Sequence, residues 1–252
     1  MLRILVVLAG CAAMAWPAGA AMAGDFWLKA KGSGCQVWSD DAPTAADVVT
    51  WSGACKDGKA AGTGKLNWTR AGKPYAVYEG AMAGGKLNGY GVLQLAVKGG
   101  FDTYEGAFKN GEVQGSIAYR NAKGDIYEGG VKDGKPHGTG YRKTGDEEYL
   151  GAFVDGARDG VGLWITPRMS YLGEFKGDTA SGSGVLEEAS GSRYHGQFRD
   201  GKPHGAGTYT TGAGAVYQGV FKNGKADGPF LVTAKPGAKP VLETWKDGKK
   251  VK

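Results

Sequence analysis

Two nearly identical octapeptides, YEGAFKNG at residues 104–111 and YQGVFKNG at residues 217–224, show that the chain is built by repetition. Aligned on them, the sequence follows one pattern: an aromatic residue at position 1, Gly at 3, an aromatic or apolar residue at 5, and Gly at 8, 12 and 14. Eight copies follow one another at spacings of 22 to 27 residues. They begin at Trp51, Tyr78, Tyr104, Tyr127, Tyr149, Tyr171, Tyr194 and Tyr217. A period of this size is typical of stacked repeat proteins, in which each unit packs on the next.

The spacing within one copy predicts a β-hairpin. Positions 1, 3 and 5 alternate, so their side chains point to one face of a strand. Asp-Gly, Asn-Gly or a similar pair at positions 7 and 8 signals a tight turn, in which the glycine supplies a positive φ. A second strand follows, with an aromatic or aliphatic residue at position 16 in every copy except the fourth, which has Arg142. We expect Gly at position 3 to leave space for the aromatic ring of a neighbouring hairpin.

The predicted fold is all-β, an elongated, twisted single antiparallel sheet of stacked β-hairpin repeats. Gly accounts for 47 of the 252 residues, a frequency that interrupts every helical pattern after the N-terminal segment. Residues 51–240 are assigned to the eight repeats, and residues 24–50 to N-terminal capping strands. Residues 241–252 are assigned to a truncated repeat and a basic C-terminal cap.

The N-terminal segment, residues 1–23, is predicted to be a secretory signal peptide. Arg3 precedes an apolar stretch, and the small-residue motif Ala21-Met22-Ala23 resembles a cleavage site. The pattern predicts export, most simply to a periplasm. A second interpretation is that Leu8-Ala9-Gly10-Cys11 is a lipobox, in which case Cys11 would anchor an outer-membrane lipoprotein.

Two cysteines, Cys35 and Cys55, follow the predicted signal peptide. An even number of cysteines in an exported chain suggests a disulfide. Asp40, Asp41 and Pro43 form a turn signal between them, so we expect the two cysteines to face each other across a hairpin.

No catalytic, metal or cofactor motif is present in the sequence. It lacks Gly-x-Ser-x-Gly, and its Gly-Lys pairs are never followed by Ser or Thr as in a P-loop. His137 and His204 share one slot in the fourth and seventh repeats and are interpreted as exposed turn residues. Glutamates recur at position 2, which faces away from the aromatic residues, and are interpreted as a solvated polar face. We therefore predict a non-enzymatic protein without cofactor, metal or nucleic acid.

The eight aromatic residues at position 1 have two interpretations. They form the core of a thin structure, or they form a partly exposed ladder that stacks on sugars or lipid headgroups. Six lysines form a candidate basic patch at the C-terminal end: Lys235, Lys239, Lys246, Lys249, Lys250 and Lys252. This patch either contacts anionic lipid or protects a terminal edge strand from further pairing.

The pattern Y-x-G-x-F-x-x-G-x-x-x-G-x-G resembles the MORN (membrane occupation and recognition nexus) repeat. Four copies depart from it, with Cys55 at position 5, Asp178 at position 8, and Ile117 and Phe230 at position 14. The resemblance implies stacked β-hairpins and a role in membrane or phospholipid contact, in protein scaffolding or dimerisation, or beside a catalytic domain. We expect an exported, non-catalytic scaffold that mediates protein–protein interaction or self-association in the cell envelope. The alternatives are anionic-lipid binding through the basic end and glycan binding along the tyrosine ladder.

Overall fold

The structure, a computed structural model, describes residues 25–251, and no helix occurs among them. The predicted signal peptide, Cys11 and Lys252 lie outside the described residues. The chain divides into two compact units, unit 1 (Met1–Thr144) and unit 2 (Gly145–Lys252).

Unit 1 contains eleven of the described strands. They are β1 (Phe26–Lys29), β2 (Gln36–Ser39), β3 (Asp47–Trp51), β4 (Ala54–Lys56), β5 (Lys59–Arg70), β6 (Lys73–Ala83), β7 (Lys86–Val97), β8 (Gly100–Lys109), β9 (Glu112–Arg120), β10 (Ile126–Lys132) and β11 (Lys135–Thr144). From β5 onward each strand pairs antiparallel with the next, and β3 and β4 both pair antiparallel with β5. β1 and β2 form a separate antiparallel pair, which we call the N-terminal hairpin.

Unit 2 contains ten described strands. They are β12 (Glu147–Val154), β13 (Ala157–Ile165), β14 (Met169–Lys176), β15 (Thr179–Glu188), β16 (Arg193–Arg199), β17 (Lys202–Thr210), β18 (Val216–Lys222), β19 (Lys225–Thr233), β20 (Val241–Lys246) and β21 (Lys249–Val251). Every strand pairs antiparallel with its successor. The predicted all-β fold of stacked antiparallel hairpins is confirmed within each unit.

The turn chemistry follows the sequence prediction. In the seventh repeat, Arg199 pairs with Lys202, which leaves Asp200 and Gly201 as a two-residue turn. Their φ angles are +50° and +73°, as required when both turn residues are left-handed. Position 7 is usually Asp or Asn because these side chains tolerate this conformation better than other non-glycine residues.

The position-1 ring lies over glycines of its own hairpin, so the expectation that it fills a neighbouring hairpin was wrong. Gly151 (position 3) and Gly162 (position 14) are cross-strand partners. A Cβ added to either would meet the Tyr149 hydroxyl, at 2.5 Å and 2.3 Å respectively. The ring folds down because its hydroxyl donates a hydrogen bond to the carbonyl of Ala152, three residues later, at 3.0 Å. This bond satisfies a buried polar atom that would otherwise cost stability.

We call this arrangement, in which the position-1 ring lies over two glycines and donates a hydrogen bond to the carbonyl three residues later, the tyrosine clamp. It recurs wherever both glycines are present. Five tyrosines donate to the carbonyl three residues later at 2.6–3.0 Å: Tyr78, Tyr127, Tyr149, Tyr171 and Tyr194. The Trp51 indole makes the equivalent bond to Ala54 at 2.9 Å. Ile117 and Phe230 replace the position-14 glycine in the third and eighth repeats, and in those repeats neither Tyr104 nor Tyr217 makes the bond among the described residues.

The contact between repeats comes from position 5. The Phe198 ring packs edge-on against Tyr194 of its own repeat at 5.1 Å and against Tyr171 of the preceding repeat at 5.0 Å. Phe175 bridges Tyr149 and Tyr171 in the same way, and Phe221 packs edge-on against Tyr194 of the preceding repeat at 5.0 Å. Edge-to-face pairs contribute about 0.5–1.5 kcal/mol beyond the apolar area they bury.

The two cysteines predicted to pair form a disulfide, with Cα atoms 5.6 Å apart. The expected hairpin between them was wrong, because β3 lies between β2 and β4 in sequence. β4 pairs antiparallel with the start of β5, and Gln36 of β2 makes a single parallel bridge to Lys59 of β5. The disulfide therefore attaches the N-terminal hairpin to the first repeat, and closing a loop of this length stabilises the fold by about 3 kcal/mol on the chain-entropy account.

A buried ion pair joins β3 to the end of β5. Arg70 donates from Nε and Nη2 to the Asp47 carboxylate at 2.8 Å and 3.0 Å, and the Thr44 amide donates to it at 2.7 Å. The Asp47 side chain is fully buried. Burial alone would raise the pKa of Asp47, but these hydrogen bonds outweigh it and lower the pKa to about 2.

Candidate binding surfaces

The position-1 aromatics form the core rather than an exposed ladder. Seven of them are buried: Trp51, Tyr78, Tyr104, Tyr127, Tyr149, Tyr171 and Tyr194. Tyr217 is half-buried, beside Tyr209 and Trp245. Burial raises the pKa of Tyr78, Tyr171 and Tyr194 to about 12. Because all seven rings are buried, they present no open surface to a sugar.

The other face of the repeats is open, and in unit 1 its position-2 residues are polar. Glu79, Glu105 and Glu128 at position 2 are exposed on it, as the sequence predicted. Tyr90 is exposed beside them and its hydroxyl donates to Glu105 at 2.7 Å. A shallow depression lies between β5 and β7, lined by Lys65, Glu79 and Tyr90 among others.

In unit 2 the open face changes character, because four apolar side chains lie in one row across β12 to β15. Leu150 is the cross-strand partner of Leu163, Leu163 of Leu172, and Leu172 of Val185. At about 4.8 Å per strand the row spans roughly 14 Å. Leu150 and Leu172 are 55% and 54% exposed.

Two further apolar side chains of β13 widen this row on both sides. Val161 is 63% exposed and Ile165 is 41% exposed, and both share the face of Leu163 by strand alternation. We call the six residues the open-face patch: Leu150, Val161, Leu163, Ile165, Leu172 and Val185. A contiguous exposed apolar surface of this kind marks an interaction site more often than isolated surface leucines do.

Carboxylates border the open-face patch. Glu174 is the cross-strand partner of Val161, and Glu148 that of Ile165. Glu187 lies two residues after Val185 on the same face, where it forms an ion pair with Arg193 at 3.2 Å. Glu174 accepts a hydrogen bond from the Ser183 amide at 2.8 Å. The rim is therefore net acidic, although the whole chain carries a formal charge of +6.

The patch was not predicted from the sequence, although the change at position 2 that contributes to it can be seen there. Position 2 is Glu in the second, third and fourth repeats and then becomes Leu150 and Leu172 in the fifth and sixth. Leu163 and Val185 lie between them only once the strand register is known. The pairing of Gly151 with Gly162 and of Gly173 with Gly184 sets that register.

The basic C-terminal end is partly neutralised. Lys246 forms an ion pair with Asp227 at 2.9 Å and Lys250 with Glu243 at 2.6 Å. The hydrogen bond from Lys246 lowers the pKa of Asp227. Lys235, Lys239 and Lys249 are exposed, and no ion pair involves them within the described residues.

The histidine interpretation needs one correction. His137 and His204 are half-buried rather than exposed, and His204 Nδ1 accepts a 3.5 Å hydrogen bond from the Asn223 amide of the next repeat. Over residues 25–251, no group of three or more His, Cys, Asp or Glu side chains is placed to hold a metal ion. Nor does this range contain a helix long and apolar enough to cross a bilayer.

Comparison with protein families agrees with this geometry. The family model described as MORN repeat matches residues 78–97, 127–146, 149–167, 171–193, 194–216 and 217–229. Each match begins at a position-1 tyrosine. The chain is a MORN-repeat protein. MORN repeats generally mediate protein or membrane binding, and they are not catalytic domains.

Among curated relatives, this MORN-repeat chain is 32% identical over 99 residues to Alsin of Rattus norvegicus and 31% identical to Alsin of Mus musculus and Homo sapiens. Each match covers 38% of this chain and 6% of the relative, so the chain spans a small fraction of their length. A solved structure of the SAS-4 TCP domain of Drosophila melanogaster, in complex with a proline-rich motif, has a TM-score of 0.37 at 9% identity. The match covers 61% of this chain and 84% of that chain.

Proposed function

We propose that this MORN-repeat chain is a non-catalytic scaffold that binds a protein through the open-face patch of unit 2. The single observation that carries the proposal is the row Leu150–Leu163–Leu172–Val185, in which Leu150 and Leu172 are more than half exposed. In the other repeats, polar residues such as Glu79, Glu105 and Gln218 occupy position 2 of that face.

The apolar centre and acidic border of the open-face patch indicate what kind of protein surface it binds. Burying it against apolar side chains contributes about 25 cal/mol for each Å² of apolar surface removed from water. Glu148 and Glu174 at its border favour a partner surface whose apolar residues are flanked by Lys or Arg. Because the apolar row lies at the centre and the charges at the rim, binding should depend only weakly on salt.

Binding of anionic lipid through the basic end is a weaker candidate. Asp227 and Glu243 already pair with two of its lysines, Lys246 and Lys250. This reduces the cation cluster available to a lipid surface, whose attraction is about 1 kcal/mol for each free cation.

Export to the cell envelope belongs to the proposal as well. Its support is the signal-peptide pattern of residues 1–23, together with a disulfide between Cys35 and Cys55, since disulfides persist in oxidising compartments. Fractionation of the source cells tests it, because the proposal predicts the mature protein in the envelope and a cytoplasmic protein would contradict it.

Affinity enrichment with matched variants tests the binding surface. The tagged full chain, the patch variant Leu150→Ser/Leu172→Ser and the control variant Val241→Ser/Leu242→Ser are incubated with cell extract at low and high salt. The control residues are 55% and 72% exposed in the same unit, so both variants lose a similar exposed apolar area.

We expect one protein to bind the wild type and the control variant at both salt concentrations, and to be lost with the patch variant. That protein, once purified, should bind the wild-type chain directly and bind the patch variant more weakly. Analytical ultracentrifugation of the purified chain tests for self-association. If the patch mediates it, the wild-type chain sediments as a dimer and the patch variant does not. Equal retention by all three chains would overturn the proposal, as would retention of lipid from the extract without any protein.

A further inference from the structure

The N-terminal hairpin docks on a second surface of the repeats, the ends of their turns. The Gln36 amide donates to the Gly58 carbonyl at 2.8 Å, and the Trp38 amide donates to the Gly85 carbonyl at 2.9 Å. Gly58 and Gly85 are the position-8 glycines of the first two repeats. β2 therefore crosses successive turns, with amides two residues apart reaching successive turn carbonyls.

Indole rings complete this contact. A Cβ on Gly85 would lie 2.7 Å from the Trp27 ring, and one on Gly111 would lie 2.9 Å from the Trp38 ring. The position-9 lysines cover the same rings: Lys59 Nζ lies 4.4 Å from the Trp27 centroid and Lys86 Nζ lies 4.2 Å from that of Trp38. The glycine of one turn and the lysine that follows the glycine of the preceding turn thus form a seat for an aromatic side chain, Gly85 with Lys59 and Gly111 with Lys86.

Unit 2 contains the same seat twice, formed by Lys202 with Gly224 and by Lys225 with Gly248, without an aromatic occupant among the described residues. The turns of the seventh, eighth and truncated ninth repeats read Asp200-Gly201-Lys202, Asn223-Gly224-Lys225 and Asp247-Gly248-Lys249. In these three turns the Asp or Asn residue has a φ of 48–51° and the glycine a φ of 73–82°. The corresponding φ angles in the covered turn are 52° for Asp57 and 72° for Gly58.

The spacing between turns is also the same. In unit 1 the Gly85 amide donates to the Ala60 carbonyl of the preceding repeat at 2.9 Å. In unit 2 the Gly224 amide donates to Pro203 at 2.8 Å and the Gly248 amide to Ala226 at 2.9 Å. One backbone bond therefore sets the distance from turn to turn in both units, so the carbonyls have the spacing that β2 uses.

Exposure separates the two sets at every position except Gly58, which is exposed although its carbonyl accepts the bond from β2. Gly85 is buried and Lys59 and Lys86 are half-buried beneath the N-terminal hairpin. In contrast, the six equivalent unit 2 residues are all exposed: Gly201, Lys202, Gly224, Lys225, Gly248 and Lys249. Within residues 25–251, no hydrogen bond reaches the Gly201, Gly224 or Gly248 carbonyl and no ion pair involves the three lysines.

We propose that these six residues, the unit 2 turn row, bind an extended acidic strand that carries aromatic side chains, supplied by a partner protein. The strand donates alternate amides to the glycine carbonyls, as β2 does, and seats its aromatic rings beneath the lysines. Its acidic character follows from charge: the three lysines are joined at position 6 by Arg199 and Lys222, against Asp200 and Asp247. This surface is separate from the open-face patch, so neither proposal depends on the other.

A peptide taken from the chain itself tests the proposal. The probe is a fluorescent peptide with the sequence of residues 34–42 and Cys35→Ser, which carries Trp38, Asp40 and Asp41. It is titrated into the oxidised full chain, in which the Cys35–Cys55 disulfide keeps the native hairpin on unit 1. A second peptide, N-methylated at the amides of Gln36 and Trp38, lacks the two donors but keeps every side chain.

Two charge variants are compared, with circular dichroism melting used to verify that each folds. The variant Lys202→Glu/Lys225→Glu alters the turn row. The control Lys235→Glu/Lys239→Glu makes the same charge change in the loop between β19 and β20, which lies at the other end of the strands. We expect the turn-row variant to weaken peptide binding about tenfold, since it loses the cation–ring contact with Trp38 and gains repulsion with Asp40 and Asp41.

The control variant and the patch variant Leu150→Ser/Leu172→Ser should bind the peptide within about twofold of wild type. The N-methylated peptide should not bind measurably. The proposal is overturned if the wild-type chain does not bind the unmodified peptide or if both charge variants weaken binding equally. It is also overturned if N-methylation leaves the affinity unchanged.

Discussion

Arg158 Nε donates to Asp178 Oδ1 at 3.1 Å, and this bond joins two departures from the repeat pattern. Asp178 replaces the turn glycine of the sixth repeat, and Arg158 replaces the small or aliphatic residue at position 10 of the fifth. The guanidinium also lies 4.4 Å over the Trp164 ring and 5.0 Å over that of Phe175. An aspartate with φ of +66° is tolerated in this turn because it holds a cation that is only 12% exposed.

Because Asp178 and Arg158 are coupled, the effect of Asp178→Gly on the free energy of unfolding should change sign when Arg158 is removed. Asp178→Gly should destabilise the wild-type chain, because it removes the carboxylate that pairs with the buried Arg158 and leaves only the bond from Arg158 Nη2 to the carbonyl of residue 178. In an Arg158→Ala background the same change should stabilise, because only the strain of the positive φ is then removed. Denaturant unfolding of the four proteins should give a coupling energy of about 1–3 kcal/mol, and additive effects would contradict the account.

The tyrosine clamp predicts that replacing Tyr by Phe lowers the free energy of unfolding more at Tyr194 than at Tyr217. Tyr194→Phe removes the 3.0 Å hydrogen bond to the Gln197 carbonyl and leaves that carbonyl without the bond, so the free energy of unfolding should fall by about 1 kcal/mol. Tyr217→Phe is the matched control, because Tyr217 is half-buried and makes no such bond among the described residues. Equal losses in a urea titration would show that the hydroxyl bond does not position the ring.

The paired glycines predict a steric effect that depends on the tyrosine. A Cβ on Gly184 would lie 2.6 Å from the Tyr171 hydroxyl, so Gly184→Ala should lower the free energy of unfolding by about 1–3 kcal/mol. In a Tyr171→Leu background the ring is gone, and the same substitution should cost less. If Gly184→Ala costs the same in both backgrounds, the ring is not what requires the glycine.

The buried Asp47–Arg70 pair predicts an acid-sensitive contribution in unit 1. Hydrogen bonds lower the pKa of Asp47 from its usual 3.8 to about 2, so the folded state binds the proton more weakly than the unfolded chain. The pair therefore stabilises above pH 4, and this contribution is lost as the pH falls from about 4 to 2. We expect Asp47→Asn to flatten that part of the curve of unfolding free energy against pH, whereas an unchanged slope would contradict the prediction.

The hairpin repeat could be predicted from the sequence because each local signal points to the same structure. Alternation at Tyr149, Gly151 and Phe153 and the turn pair Asp155-Gly156 all specify one hairpin. Alternation places ring and glycine on one face, but it does not determine which hairpin the ring covers. That choice depends on the hydroxyl bond to the carbonyl three residues later, which only the folded backbone forms.

The binding surfaces were harder to predict for a related reason. Leu150 and Leu172 are visible in the sequence as departures from Glu at position 2, but Leu163 lies between them only through cross-strand register. The cysteine pair was predictable from composition, whereas its topology was not. The turn signal at Asp40 and Pro43 does not say that β3 follows it and separates β2 from β4.

Site-specific photo-crosslinking tests the central claim most directly. A benzophenone amino acid is placed at Leu172 in the open-face patch or, as a control, at Leu242, which is exposed in the same unit outside it. The chain is then irradiated in native extract. The account predicts a light-dependent adduct with one protein from position 172 that is absent from position 242. No protein adduct at 172, or the same adducts from both positions, would contradict the claim that the open-face patch is a protein-binding surface.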